Sequence, residues 1–269
     1  MERIEKLSLT ELRDMLICGC NEIIRAVPFL TEIDTLIGDG DHGYGMNKGF
    51  SAMKRLLTSQ PFDAHAKMLR ECGMTLLKSM GGASGVLFST LFISGSEAVH
   101  SKDQMNKDEF SGFVCMGASA VQRRGKARLG QKTMIDALLP AAGAIRECQA
   151  RGGSFEEMLR CGSIAAEAGA ESTKDMRASV GRSKGFREES LGVMDPGAVS
   201  VSRLFDGFYR YILNDEDRRP NGSYASDAQP GPRHAPEGGT TKMESKPRHS
   251  GKQPEERIME TDNSAASVF

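Results

Sequence analysis

Between residues 34 and 47 the chain reads Asp34-Thr35-Leu36-Ile37-Gly38-Asp39-Gly40-Asp41-His42-Gly43-Tyr44-Gly45-Met46-Asn47, which places three carboxylates within eight residues and spaces them with glycines. Aspartates supply oxygen donors for hard cations, and glycines allow the backbone turns through which such side chains converge. Gly38-x-Gly40-x-x-Gly43 has the formal pattern of a dinucleotide-binding turn, but that motif needs a preceding strand and a cradle of approachable amides. Here an apolar helical stretch precedes it, and a phosphate brought within 4 Å of either inner carboxylate is repelled by about 4 kcal/mol at an effective dielectric of 20. An EF-hand is also excluded, because the twelfth position counted from Asp39 is Phe50 where a bidentate Glu is required. Magnesium fits this loop best: it accepts a few carboxylates and completes its octahedron with water and substrate phosphates. Asp34 would approach from a helix end and Asp39 and Asp41 from the loop, an arrangement able to bridge two ions across a di- or triphosphate. The alternative is a solvated turn, in which Asp and Gly are favoured anyway. His42, inside the loop, is given a polar role.

Three further glycine-bearing loops follow. Met80-Gly81-Gly82-Ala83-Ser84-Gly85 leads into a helix whose N-terminal amides would attract phosphate; Ser84 either caps that helix or offers its hydroxyl to a ligand. The segment from Arg124 to Met134 gathers four cations around Gly125 and Gly130, as an exposed turn or a phosphate-facing loop. Gly181-Arg182-Ser183 is followed by Met194-Asp195-Pro196-Gly197-Ala198. There Arg182 has the fork geometry for bidentate phosphate pairing, and Asp195-Pro196-Gly197 forms a turn that opens a last helix.

The elements that must position these loops read as helices. Over about residues 5–213, apolar residues recur at three- and four-residue spacing, as in Leu12, Leu16, Cys20 and Ile23, and no series rich in Val and Ile suggests a parallel sheet. Helices are expected near 8–26, 29–37, 46–59, 63–80, 84–100, 107–124, 131–150, 154–176 and 197–213, with Pro28, Pro61, Pro140 and Pro196 beside boundaries and a Ser154/Glu157 capping box. Short connections imply antiparallel packing. The uncharged run Ser79–Ser96 approaches bilayer-spanning length but contains four Gly and five Ser, so a buried helix is expected.

From residue 214 to 269 the chain holds six of its ten prolines and almost no apolar periodicity, the composition of a disordered polar tail. The expected organisation is therefore a helical domain at 1–213 and a tail at 214–269. The balance of 35 basic against 36 acidic residues gives no electrostatic case for nucleic acid or an anionic membrane surface. Six cysteines without paired spacing read as buried thiols of a reducing compartment, and the charged N-terminus is unlike a secretory signal, so a cytoplasmic location is expected.

Taken together, GDGDHG, GMTLLKSMGGASG, GKARLGQKTMIDALLP, AAEAGAESTKDM, GRS and DPGA resemble, in order and spacing over about residues 8–212, the nucleotide-binding L subunit (DhaL) family of dihydroxyacetone kinases. The resemblance implies an all-α fold, a barrel of eight antiparallel helices holding ADP or ATP at one rim. It implies that Asp34, Asp39 and Asp41 ligate two magnesium ions and that the loop residues His42, Gly43, Tyr44 and Gly45 lie against the nucleotide. It further implies that Ala83 and Ser84 meet phosphate, that Gly125 and Met134 line the nucleoside pocket, and that Arg182 and Asp195, Pro196 and Gly197 close the remaining side. No residue is expected to act as a covalent catalyst, since orienting a phosphoryl group needs none.

The acceptor, dihydroxyacetone or a related short hydroxyketone, would be held on a separate K subunit, in a homodimer or hetero-oligomer. The nucleotide would be either ADP rephosphorylated by a phosphocarrier protein of the phosphotransferase system or exchanging ATP. A fatty-acid-kinase-like system and a nucleotide-bound module docking a transcription activator are the competing readings. Gly45 departs from the family, which commonly has Asn there, and so does the stretch around Phe186 that follows GRS.

Overall fold

The computed structural model describes residues 4–181, 184–185 and 188–213. The expected tail from 214 onward and the predicted Arg182 contact lie outside the described residues. Eight α-helices carry the fold: α1 (Leu9–Ile37), α2 (His42–Ser59), α3 (His65–Ser79), α4 (Gly82–Ser96), α5 (Lys107–Gly125), α6 (Ile135–Ala150), α7 (Phe155–Ser172) and α8 (Pro196–Leu213). Each packs against the next, and α8 returns to α1, which closes the ring. Their antiparallel run shows in the crossings, where Gly162 of α7 meets Ile145 of α6 while Gly169 meets Asp136.

Because the direction reverses at every step, the connections α1–α2, α3–α4, α5–α6 and α7–α8 all emerge at one rim. Those are the four glycine-bearing loops. The opposite rim carries a short antiparallel pair, Lys6–Ser8 with Gln104–Asn106, whose three-residue strands are too short to show a two-residue periodicity. His65 fastens it: its two ring nitrogens lie 2.9 Å from the Leu7 carbonyl oxygen and 3.1 Å from that of Lys102.

Local sequence signals set three of the helix starts. Ser8 with Glu11, Asn106 with Glu109 and Ser154 with Glu157 form reciprocal capping boxes. Some boundaries differ from expectation. Leu9–Ile37 form one 29-residue helix with Pro28 inside it, because the backbone hydrogen bond lost at a proline is outweighed by the packing of buried Ile23, Leu30 and Ile33, on both sides of it, in the same core. Pro140 likewise lies inside α6. And α2 starts at His42 instead of residue 46, since the carboxylate of Asp34 accepts the first amide of the helix (His42 N to Asp34 Oδ2, 3.0 Å).

The core is aliphatic and phenylalanine-rich. Phe50 of α2 meets Phe88 of α4 edge to face, with centroids 5.6 Å apart. Backbones approach closely where glycines allow: a Cβ on Gly207 of α8 would lie 2.5 Å from the Cα of Gly19 on α1. Cys18, Cys20, Cys72 and Cys148 are buried free thiols as expected, whereas Cys115 and Cys161 are half-buried. Helix α4 is the buried helix expected for the uncharged run, and no helix among the described residues is long and apolar enough to cross a membrane.

Candidate functional site

A cleft of about 390 Å³ opens at the rim where the four loops emerge. Its first wall is acidic. One carboxylate oxygen from each of Asp34, Asp39 and Asp41 lies within 4.8 Å of the others, with Asp34 buried and the other two exposed. Three anions at that spacing repel one another by about 3 kcal/mol per pair at an effective dielectric of 20, and their all-oxygen donor set suits magnesium. The glycines now have specific reasons. A side chain at Gly38 would begin 2.4 Å from Asp34 Oδ1 and displace the carboxylate, and Gly40 has φ +74°, a left-handed turn that L-residues rarely adopt.

His42, on the first turn of α2, ties three helices together. Its Nε2 is 2.8 Å from Ser200 Oγ on α8, and its Nδ1 is 3.3 Å from Ser84 Oγ on α4. Burial pushes its pKa below the usual histidine value against the opposing pull of Asp34. Tyr44, Gly45 and Lys48 continue the wall along α2. Gly43 does not join it: its Cβ position is 2.1 Å from Thr31 Oγ1, so its part is to let α2 cross α1 closely.

The second wall is the start of α4. Gly81 occupies the cap position with no side-chain hydrogen bond, so Ser84 is not the cap. Among the described residues no side chain caps the first amides of α4 beside Ala83 and Ser84, both of which line the cleft. Such a terminus attracts phosphate oxygens.

The third wall is the α5–α6 loop, expected to be helical from residue 131 but observed as a loop until Ile135. Of its four cations only Lys132 lines the cleft, next to Thr133 and Met134; Arg124, Lys126 and Arg128 are exposed. Gly125 stands behind this surface, with its Cβ position 3.4 Å from Cδ2 of the cleft residue Leu87.

The last wall brings Gly181 and the start of α8. Asp195 caps α8 by accepting the Ala198 amide at 2.7 Å, Pro196 takes the first helical position and Gly197 follows. Burial raises the Asp195 pKa to about 7, although the Ala198 amide and the Lys132 charge favour its anion. A carboxyl whose pKa is higher folded than unfolded contributes stability that is fully present below about pH 4 and is lost as pH rises toward 7. The melting temperature of the wild type is therefore expected to fall between pH 4 and 7 more steeply than that of Asp195→Asn, which keeps an oxygen for the Ala198 amide. Parallel profiles would contradict this.

The structure thus gathers Asp34, Asp39, Asp41, His42, Tyr44, Gly45, Ala83, Ser84, Met134, Asp195, Pro196 and Gly197 around one cleft and leaves Gly43 and Gly125 just outside it. Sequence reasoning missed Lys48, Leu87, Thr133 and Val180 as lining residues and Ser200 as the partner of His42. Lys48 was detectable in principle: it lies one turn beyond Tyr44 once α2 is known to start at His42.

The family model of the DAK2 domain matches residues 36–210, which span most of this closed ring of helices and its acidic cleft. The chain belongs to that family. It is 40% identical over 173 residues to the protein of Escherichia coli strain K12 named PEP-dependent dihydroxyacetone kinase, ADP-binding subunit DhaL, spanning 64% of this chain and 82% of that one. It is 39% identical over 182 residues to the ADP-binding subunit DhaL of PEP-dependent dihydroxyacetone kinase 2 from Listeria innocua, spanning 66% and 83%. Among solved structures, the C. freundii dihydroxyacetone kinase in complex with AMP-PNP and Mg2+ superposes with TM-score 0.60 at 25% identity, covering 76% of this chain and 34% of that one. These are kinases and kinase subunits, which leaves the fatty-acid-kinase and transcription-activator readings without support.

Proposed function

We propose that this chain is the nucleotide-holding subunit of a dihydroxyacetone-type kinase, presenting a magnesium-bound phosphoryl group to a short hydroxyketone held on a separate K subunit. The observation that carries the reading is the convergence of Asp34, Asp39 and Asp41 opposite the uncapped start of α4 across one cleft. Acids alone would repel a polyphosphate, and amides alone would hold it weakly. The three aspartates would hold Mg2+, in the proposal two ions, which would neutralise the charge of the transferring group. The protein's own part is positional. The α4 amides and Ser84 hold phosphate oxygens, His42 fixes Ser84 and α8 in place, and Met134, Leu87 and the Asp195–Gly197 turn form the nucleoside side, with Arg182 expected to close it.

The subunit names of the bacterial relatives favour ADP that stays bound and is rephosphorylated by a phosphocarrier protein over ATP that exchanges each turnover. The working assembly would be a homodimer or hetero-oligomer in the cytoplasm, with the helical domain ending at residue 213 and a polar tail following. Purification without added nucleotide, followed by acid extraction, separates the modes: stoichiometric ADP supports the first, and an empty site that binds ATP reversibly supports the second. Phosphorylation of dihydroxyacetone only after addition of a K subunit tests the reaction, and its failure with nucleotide and magnesium bound would refute the substrate assignment.

Gly45 offers a graded test. A Cβ there meets nothing within 4 Å, and a glycine inside a helix costs roughly 0.5–1 kcal/mol relative to Ala. Gly45→Asn is expected to leave stability unchanged or slightly raised and to tighten ADP binding about threefold, the worth of one modest hydrogen bond. Isothermal titration reads both the sign and the size.

A further inference from the structure

We propose that Lys132 is the positioning residue of the nucleotide site, a buried ammonium that draws three separate chain segments together and so sets the wall against which the nucleoside end of the ligand lies. The inference rests on the reading of this cleft as an ADP site. Lysines are almost never fully buried without compensation, yet Lys132 is 1% exposed. Its backbone takes the left-handed conformation, with φ +58°, a strained choice for a residue with a side chain. That conformation is held by Asp136, whose carboxylate accepts the amides of Gly130 and, at 2.8 Å, of Thr133. The loop is wound around one acid, and its winding turns the lysine inward.

Inside, the ammonium donates to two backbone carbonyls, those of Thr173 and Val193. Thr173 ends α7 and begins a 3-10 turn; Val193 lies two residues before Asp195. The same Thr173 accepts the Asp195 amide on its hydroxyl at 2.9 Å. Asp195 in turn caps α8, and a Cβ on Gly197 would lie 3.3 Å from Met134 Cβ. The α5–α6 loop, the end of α7 and the start of α8 thereby meet at one ammonium; burial lowers its pKa, and the charges of Asp195, Asp136 and Asp175 oppose that shift. Thr133 and Met134, directly after the lysine, and Asp195 to Gly197 are all cleft residues. A methionine would fill the same volume, so packing alone does not require an ammonium here. What the charge adds is directional attachment to two carbonyls on separate segments.

The experiment compares full-length wild type, Lys132→Met, Lys132→Arg and Thr173→Val by ADP titration at saturating magnesium and by melting temperature without nucleotide. Lys132→Met is expected to bind ADP about 30-fold more weakly, in keeping with the losses that follow small misplacements of a preorganised site. Lys132→Arg should recover part of that loss. Thr173→Val keeps the carbonyl for the ammonium and removes the hydroxyl for Asp195, so a loss of about tenfold is expected, and a variant combining Lys132→Met with Thr173→Val should lose less than the product of the two. Wild-type ADP affinity in folded Lys132→Met, whatever its melting temperature, would overturn the proposal. Should that variant not fold, unchanged affinity in Thr173→Val would overturn it instead. If the wild type itself binds no ADP, the reading of the cleft fails, which is a different result.

Discussion

Asp39→Asn is expected to weaken magnesium-dependent ADP binding by at least about 100-fold. Asp39 is exposed at the cleft mouth, and its carboxylate comes within 4.8 Å of those of Asp34 and Asp41. Losing an outer-shell partner of a metal ligand typically costs about 10- to 100-fold in affinity, and removing a ligand's charge costs more, since one unit charge at 4 Å is worth about 4 kcal/mol at an effective dielectric of 20. The amide keeps the shape of the side chain, so the melting temperature without ligand should hold or rise slightly as like-charge repulsion is relieved. Titration of ADP with and without magnesium makes the comparison. An unchanged affinity, or an equal loss in the absence of the metal, would show that the aspartates form a solvated turn and nothing more.

Phe50→Ala should lower the unfolding free energy by about 3–5 kcal/mol, the usual range for deleting a buried aromatic ring, and the melting temperature by about 6–20 °C for a domain of this size. Phe50 is fully buried, and its ring meets Phe88 edge to face at an interplanar angle of 88°. The position matters because the two rings join α2 and α4. Those helices carry His42 and Ser84, whose side chains meet at 3.3 Å, so ADP affinity should fall together with stability. Urea unfolding followed by titration of the surviving folded fraction measures the two effects separately. A loss below about 1 kcal/mol would mean that the site can repack around the cavity.

Helices were legible in the sequence because their apolar spacing and capping boxes are local signals, and Ser154 with Glu157 marked the start of α7 to within one residue. Pro28 was misread as a boundary because its local cost is outweighed by packing along all of α1. The start of α2 was placed four residues late, since the cap that allows it comes from Asp34 on the preceding helix. The acids and glycines of the rim were visible as types and spacing. Their grouping around one cleft follows from an even number of reversals between successive rim loops. The hydrogen bond between His42 and Ser200 joins residues 158 positions apart, and the inward turn of Lys132 depends on a left-handed backbone. Neither leaves a trace in a linear pattern.

That same pairing of His42 with Ser200 has a bearing on biosynthesis. The loop at residues 38–41 is synthesised well before α8, yet the wall opposite it is supplied by that last helix of the ring. Chains released before residue 195 would lack both the serine and the Asp195–Gly197 turn, and no partial product could present a finished pocket. Occupancy by the ligand would then stabilise chains that extend through α8 in preference to shorter ones.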